Sequence, residues 1–122
     1  VAGVEGRRIV IADNDPEWVA LARFDLDLEG HDIVAVCSSG ADAIDACRRY
    51  APDVLVVDYR MPPGITGVEV ARRVRAEHPE IKVVLFTNYE DELAVDGAAE
   101  VGAAYVLKGN LRALREAVTS WP

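Results

Sequence analysis

Four residues of this 122-residue chain follow short apolar runs and carry groups that together could handle a phosphoryl group. Asp13 follows Ile9-Val-Ile-Ala12, Asp58 follows Val54-Leu-Val-Val57, Thr87 follows Val83-Val-Leu-Phe86, and Lys108 follows Tyr105-Val-Leu107. Clustered carboxylates repel one another and lose solvation. They are tolerated mainly around a hard cation such as Mg²⁺, which takes carboxylate and carbonyl oxygens and keeps some waters. An ammonium and a hydroxyl beside such a cation suit phosphoryl oxygens, so the set implies phosphoryl transfer. Each residue also has a plainer reading. An Asp after a strand is usually a turn or cap residue, Thr87 could cap the next helix, and Lys108 before Gly109 could be an exposed turn lysine. Joint placement favours the chemical reading, since four separate run ends rarely supply this set by accident. Asp15, followed by Pro16, reads simply as a helix N-cap.

Bringing these residues to one rim requires a particular scaffold. The apolar runs, with a weaker one at Ile33-Val-Ala-Val36, are continuous rather than alternating and rich in Val and Ile. That pattern predicts parallel strands covered on both faces, spaced at about the size of one βα unit. The segments between them predict helices. Residues 41–50 place Ala43, Ile44 and Cys47 on one stripe that Pro52 ends, and residues 68–78 place Val70, Ala71 and Val74 inward with Arg72, Arg73 and Arg75 outward. Phe24 to Glu29 alternates as a strand would, yet the Asp15-Pro16 start favours a helix with Trp18, Leu21, Ala22 and Leu28 on its inner face. The helix expected at about 90–101 carries Gly97 in its interior, at a cost of roughly 1 kcal/mol relative to Ala, and is expected to be the least stable. A last helix is expected over 111–119. Right-handed crossovers then give an open doubly wound sheet, whose ligands gather at the carboxyl ends of the strands.

Composition agrees with one globular domain: 51% of residues are hydrophobic and 28% charged. No run approaches the roughly 18 unbroken apolar residues of a membrane helix. Thirteen basic against twenty-one acidic residues give a net charge of −8, which disfavours direct nucleic-acid binding by this domain. Cys37 and Cys47 lack metal-site spacing and are too few for a disulfide scaffold, so both are expected to be buried thiols. Residues 1–6 are expected to be a flexible tail ahead of a domain at 7–120, and without a signal-like segment the cytoplasm is the default location.

Four segments resemble, in order, the receiver domain of two-component response regulators. They are Ile9-Val-Ile-Ala-Asp-Asn-Asp-Pro16, Pro52-Asp-Val-Leu-Val-Val-Asp-Tyr-Arg-Met-Pro62, Val83-Val-Leu-Phe-Thr87 and Gly102-Ala-Ala-Tyr-Val-Leu-Lys108. The resemblance covers roughly residues 7 to 120. It implies an α/β, flavodoxin-like fold: a doubly wound five-stranded parallel sheet of order 2-1-3-4-5 with five helices. It also implies that Asp58 accepts a phosphoryl group from a sensor histidine kinase or a small phosphodonor. Asp13, Asn14, Asp58 and the backbone carbonyl of Arg60 would be the Mg²⁺ ligands, and Lys108 would pair with a phosphoryl oxygen. Thr87 would donate its hydroxyl to the phosphoryl group, letting Tyr105 swing inward as the switch. The domain would be no enzyme beyond its own phosphorylation and dephosphorylation. Helix 4, strand 5 and helix 5 would form a homodimer or partner face. Arg60-Met-Pro and Lys108-Gly109 resemble regulators with a helix-turn-helix DNA-binding output, hence a role in transcription regulation.

Some positions depart from the family. Asn14 stands where an acid is usual, which removes one negative charge and predicts weaker Mg²⁺ binding. The loop from Asp58 to Gly67 is one residue longer than the commonest pattern. Asn88 and Tyr89 are larger than the small residues common there and are expected to restrict water. Two rivals remain at this point. A haloacid-dehalogenase-type phosphatase would use Asp13 as nucleophile and Asp15 as general acid, and a pseudo-receiver would keep the fold without taking phosphate. A flavin or nucleotide site lacks a glycine-rich fingerprint after the first strand.

Overall fold

The computed structural model describes residues 6–120. Five strands and five helices alternate: β1 (Arg8–Ala12), α1 (Pro16–Leu28), β2 (Asp32–Cys37), α2 (Gly40–Tyr50), β3 (Val54–Val57), α3 (Gly67–Glu77), β4 (Lys82–Thr87), α4 (Glu92–Val101), β5 (Ala104–Leu107) and α5 (Leu111–Thr119). The strands form one sheet of order β2-β1-β3-β4-β5, every neighbouring pair parallel, as the resemblance implies. The expected tail at 1–6 lies outside the described residues except for Gly6, which is exposed. No described helix is long and apolar enough to cross a membrane.

Continuous apolar runs become two cores because successive strand side chains point to opposite faces. Val10, Leu55, Val57, Val83 and Leu85 pack with α2, α3 and α4 on one side, while Ile9, Ile11, Val54, Val56, Val84 and Phe86 pack with α1 and α5 on the other. Nearly all are fully buried, at about 1.5–3 kcal/mol for each large side chain.

Helix starts follow their caps. Asp15 accepts from the Glu17 N–H at 3.0 Å, Ser39 from Asp42, and Thr66 from Glu69. Asp91 caps α4 by accepting from the Ala94 N–H at 2.8 Å, so that helix begins at Glu92 and Thr87 is not its cap. The inner face of α1 is rotated from the expected one. Trp18, Val19, Ala22 and Leu26 meet the sheet, whereas Leu21 and Leu28 are 43% and 69% exposed. The i, i+4, i+8 stripe through Trp18 wins because it points at Ile9, Ile11 and Phe86. Cys47 is buried, its thiol pushed up to about 12 by desolvation, but Cys37 is only half-buried because β2 is an edge strand.

Gly97 has a reason the pattern does not display. A Cβ there would lie 2.8 Å and 3.0 Å from the two methyls of Val68 on α3. With Ala94 and Ala98 as the buried residues of α4, the helix sits close against its neighbour only because these positions are small.

Two predictions follow from packing. Gly97→Ala should gain the helix-propensity term of about 1 kcal/mol yet lower stability by about 1 kcal/mol net, since the stiff Val68 must shift. Adding Val68→Ala should remove that clash penalty, and a raised urea midpoint for Gly97→Ala alone would contradict the packing. The second concerns His31, which is buried and whose Nδ1 accepts the Arg7 N–H at 2.9 Å, leaving the proton on Nε2. Burial holds its pKa below 6.5 in the folded chain, against the smaller raising effect of Glu29. A lowered folded pKa means this stability is present above the unfolded value and lost as pH falls from 6.5 toward the folded one. Urea unfolding at pH 7 and pH 5 should show a smaller loss in His31→Gln than in the parent, and equal losses would refute the assignment.

Candidate functional site

The sheet's hydrogen-bond ladder continues one residue past three strands, and this fixes the backbone of the chemical residues. Asp13 N–H donates to the Cys37 carbonyl, Asp58 N–H to Ala12, and Lys108 N–H to Thr87, each at 2.9 Å. Asp13, Asp58 and Lys108 are therefore placed by β2, β1 and β4 respectively, along the carboxyl edge. The start of α3 seals the rear of this edge. Gly67 N–H donates to the Tyr59 carbonyl at 2.8 Å, and a Cβ on Gly67 would fall 2.1 Å from the Asp58 carbonyl oxygen.

The side chains converge on the ammonium of Lys108. Its Nζ lies 2.7 Å from Asp13 Oδ2 and 3.2 Å from Asp58 Oδ2. The three side chains are 3%, 5% and 9% exposed, so the lysine is no solvated turn residue and Asp58 is nearly covered. Each carboxylate spends its other oxygen on a backbone N–H: Asp13 Oδ1 accepts from Asp15 at 2.9 Å, and Asp58 Oδ1 from Tyr59 at 2.8 Å. Burial raises the Asp13 carboxyl pKa and the nearby Asp58 charge adds to the rise, while the Lys108 hydrogen bond opposes it. Across the ammonium lies an aromatic wall, with Nζ 5.4 Å from the centre of the Trp18 ring.

Thr87, fully buried at the end of β4, accepts the Tyr89 N–H on its Oγ1 at 3.2 Å. Tyr89 is also held from the other end, because the Tyr105 hydroxyl donates to its carbonyl. Tyr105 is half-buried and packs against the core on that side of the sheet, its pKa raised first by desolvation and then by Glu90 and Asp91. Arg60, exposed two residues past Asp58, lays its guanidinium 4.8 Å from the Tyr89 ring centre and 5.7 Å from that of Tyr59. The loop that follows is anchored by buried Met61 and contains a cis Pro62-Pro63 bond.

Asn14 is exposed beside Asp13, and Asp15 is engaged as the α1 cap. Among the described residues no group of three or more His, Cys, Asp or Glu side chains is arranged to hold a metal. The site instead offers two carboxylates, an amide oxygen and main-chain carbonyls. All are hard oxygen donors of the class Mg²⁺ takes, and two buried carboxylates share a single ammonium, so the set fits that ion. A cavity of about 590 Å³ lined by Pro52, Asp53, Arg75 and Lys82 opens at the opposite end of β3 and β4 and contains none of these groups.

The sequence pattern assigns Asp13, Asp58, Thr87 and Lys108 to one rim, and the structure places all four there. The pattern does not reveal the contact of Trp18 with Lys108, or the use of Tyr89's backbone to join Thr87 to Tyr105. The available signal for Trp18 was its place in the first turn of α1, above the carboxyl edge.

The response regulator receiver domain family model matches residues 9–119. The response regulator GacA of Pseudomonas viridiflava is 35% identical over 104 residues, which are 84% of this chain and 48% of that protein. The oxygen regulatory protein NreC of Staphylococcus haemolyticus is 33% identical over 106 residues, 83% of this chain and 48% of that one. The chain therefore spans about half the length of the curated relatives it matches. Among solved structures, the signal receiver domain of the response regulator NarL from Mycobacterium tuberculosis superposes with a TM-score of 0.85 at 28% identity, covering 96% of this chain and 99% of that one. A DNA-binding response regulator of the LuxR family from Staphylococcus aureus gives 0.86 at 29% identity, covering 93% and 97%.

Proposed function

We propose, from the premise that this chain belongs to the response regulator receiver domain family, that Asp58 is the phosphoacceptor of a two-component phosphorelay. The observation that carries this reading is the buried Asp13–Lys108–Asp58 cluster at the end of the central strand. An oxygen of the Asp58 carboxylate attacks phosphorus in line. The bond from phosphorus to the donor breaks, P–N for a phosphohistidine imidazole and P–O for a small acyl phosphodonor, its electron pair stays on that nitrogen or oxygen, and an acyl phosphate forms on Asp58. The donor is a phosphohistidine on a sensor histidine kinase, or a small phosphodonor. Lys108, already beside Asp58 Oδ2, pairs with a phosphoryl oxygen. Asp13, Asn14, Asp58 and the Arg60 carbonyl would hold Mg²⁺, which when bound neutralises charge on the transferring oxygens.

Switching follows from the new charge. A phosphoryl group adds about −1.5 to −2 charge and three strong acceptor oxygens, taking phosphoserine as the guide. Thr87 satisfies one of them with its hydroxyl proton, and the rotation that carries Oγ1 toward the phosphoryl group draws it away from the Tyr89 N–H that it accepts here. The Tyr89 carbonyl that holds the Tyr105 hydroxyl is then displaced and Tyr105 swings inward. Moving a regulator from 1:99 to 99:1 requires about 5.5 kcal/mol of preference for the active form. A few charge-assisted hydrogen bonds at about 1.5–3 kcal/mol each supply it. The receiver domain occupies residues 7–120 and works in the cytoplasm. Its α4–β5–α5 face, where Leu93 is 76% exposed, pairs two copies, and DNA is bound by a helix-turn-helix output domain rather than by this acidic one.

Incubation with Mg²⁺ and acetyl phosphate should add one phosphoryl group, seen by intact mass, and Asp58→Asn should abolish it. A label on Asp13 instead would support the phosphatase chemistry. An unlabelled parent that also shows no spectral change with beryllofluoride would leave the pseudo-receiver. The Asn14→Asp variant should bind Mg²⁺ about tenfold more tightly, equivalent to about 1.4 kcal/mol, because a carboxylate replaces an amide. An unchanged Mg²⁺ titration midpoint would rule out Asn14 as a ligand position.

A further inference from the structure

An ammonium carries three N–H donors, and one buried away from water needs a partner for each. Lys108 gives two to Asp13 Oδ2 and Asp58 Oδ2. Its side chain is only 3% exposed, so water offers little for the third. What faces it is the indole of Trp18, with Nζ over the ring and 5.4 Å from its centre, within the range at which a cation is attracted to an aromatic face. The indole is itself braced: it meets the Phe86 ring edge-on, at 6.1 Å between centroids and 89° between planes. Phe86 precedes Thr87 at the end of β4, and Trp18 lies in the first turn of α1, so the ring is held between one element that ends at the site and one that begins there.

We infer that Trp18 is a positioning residue for Lys108, supplying the third face of the ammonium's cage and holding it within reach of Asp58. This deepens the phosphoacceptor reading and rests on it for the consequence in phosphoryl transfer. The two carboxylate contacts are unequal, 2.7 Å to Asp13 against 3.2 Å to Asp58. Without the ring the ammonium settles toward Asp13, the closer carboxylate, and away from the oxygen that is to carry phosphorus. Trp18 touches neither phosphorus nor donor, so its effect passes entirely through Lys108.

The test is a double-mutant cycle on the 122-residue chain with Trp18→Leu and Lys108→Met, read in two ways. The first readout is urea unfolding, which requires no phosphorylation. A desolvated cation on an indole is worth a factor of up to about 30 in an equilibrium constant, so the unfolding constants should depart from additivity by at least about threefold. The second is the rate of phosphorylation by acetyl phosphate at saturating Mg²⁺. Trp18→Leu should lose about tenfold, Trp18→Phe should keep most of the rate because a ring remains, and Trp18→Leu should cost nothing further in the Lys108→Met background. Additive unfolding effects would overturn the inference, because Trp18 would then only fill space. Coupled unfolding with an unchanged rate in Trp18→Leu would overturn it too, since the contact would not position the ammonium for transfer. A parent chain that takes no phosphoryl group would instead defeat the phosphoacceptor reading, and the unfolding cycle alone would decide whether Trp18 holds Lys108.

Discussion

One buried positive charge between two buried negative ones governs this edge of the molecule. Asp13 and Asp58 are too close and too desolvated to be left alone, and the Lys108 ammonium is what the chain itself provides against their repulsion. Removing one member of such a cluster leaves an uncompensated buried charge, so the three form a unit and not three separate contributions. The balance is incomplete, because two carboxylates and one ammonium leave a net negative charge. A pocket in that condition favours an added cation, and with a cation bound it favours the anionic oxygens of a phosphoryl group.

The unit depends on the sheet for its precision. Asp13, Asp58 and Lys108 come from three strands, and nothing local to any of them could bring their side chains within 3.2 Å. Parallel pairing does so because each residue is the first beyond its strand and still donates its N–H to the neighbouring strand. Both faces of the sheet must be apolar for that ladder to stay dry, which is why the same runs that form the core also determine where the chemistry lies.

The sequence made the sheet readable for the same reason. Val54 to Val57 has no polar break, so it signals a strand covered on both sides, and Asp58 directly after it signals the edge. What was not readable depended on distances between elements. Gly97 looks like a flaw in a helix until Val68 is seen against it, and Leu21 and Leu28 fit a helical face as well as Trp18 and Leu26 do until the sheet selects one. Lys108 and Trp18 are ninety residues apart in the chain, and no periodicity connects an ammonium on one element to a ring on another.

Tyr89 shows how a small motion at the proposed switch would travel. Its backbone N–H is committed to Thr87 and its carbonyl to Tyr105, so neither can change partner without disturbing the other. The ring is not free either, since Arg60 lies over it and links it to the loop after Asp58. Two consecutive peptide groups thus couple the Thr87 hydroxyl to the aromatic on β5, over too short a span to absorb the change by bending. The next element, α4, buries only Ala94 and Ala98 and keeps Leu93 in solvent, so little apolar area opposes its shifting. A site stiff at the sheet edge and joined to a lightly anchored helix by a doubly bonded residue has its compliance at α4, where displacement would alter the outward surface while leaving the ladder intact.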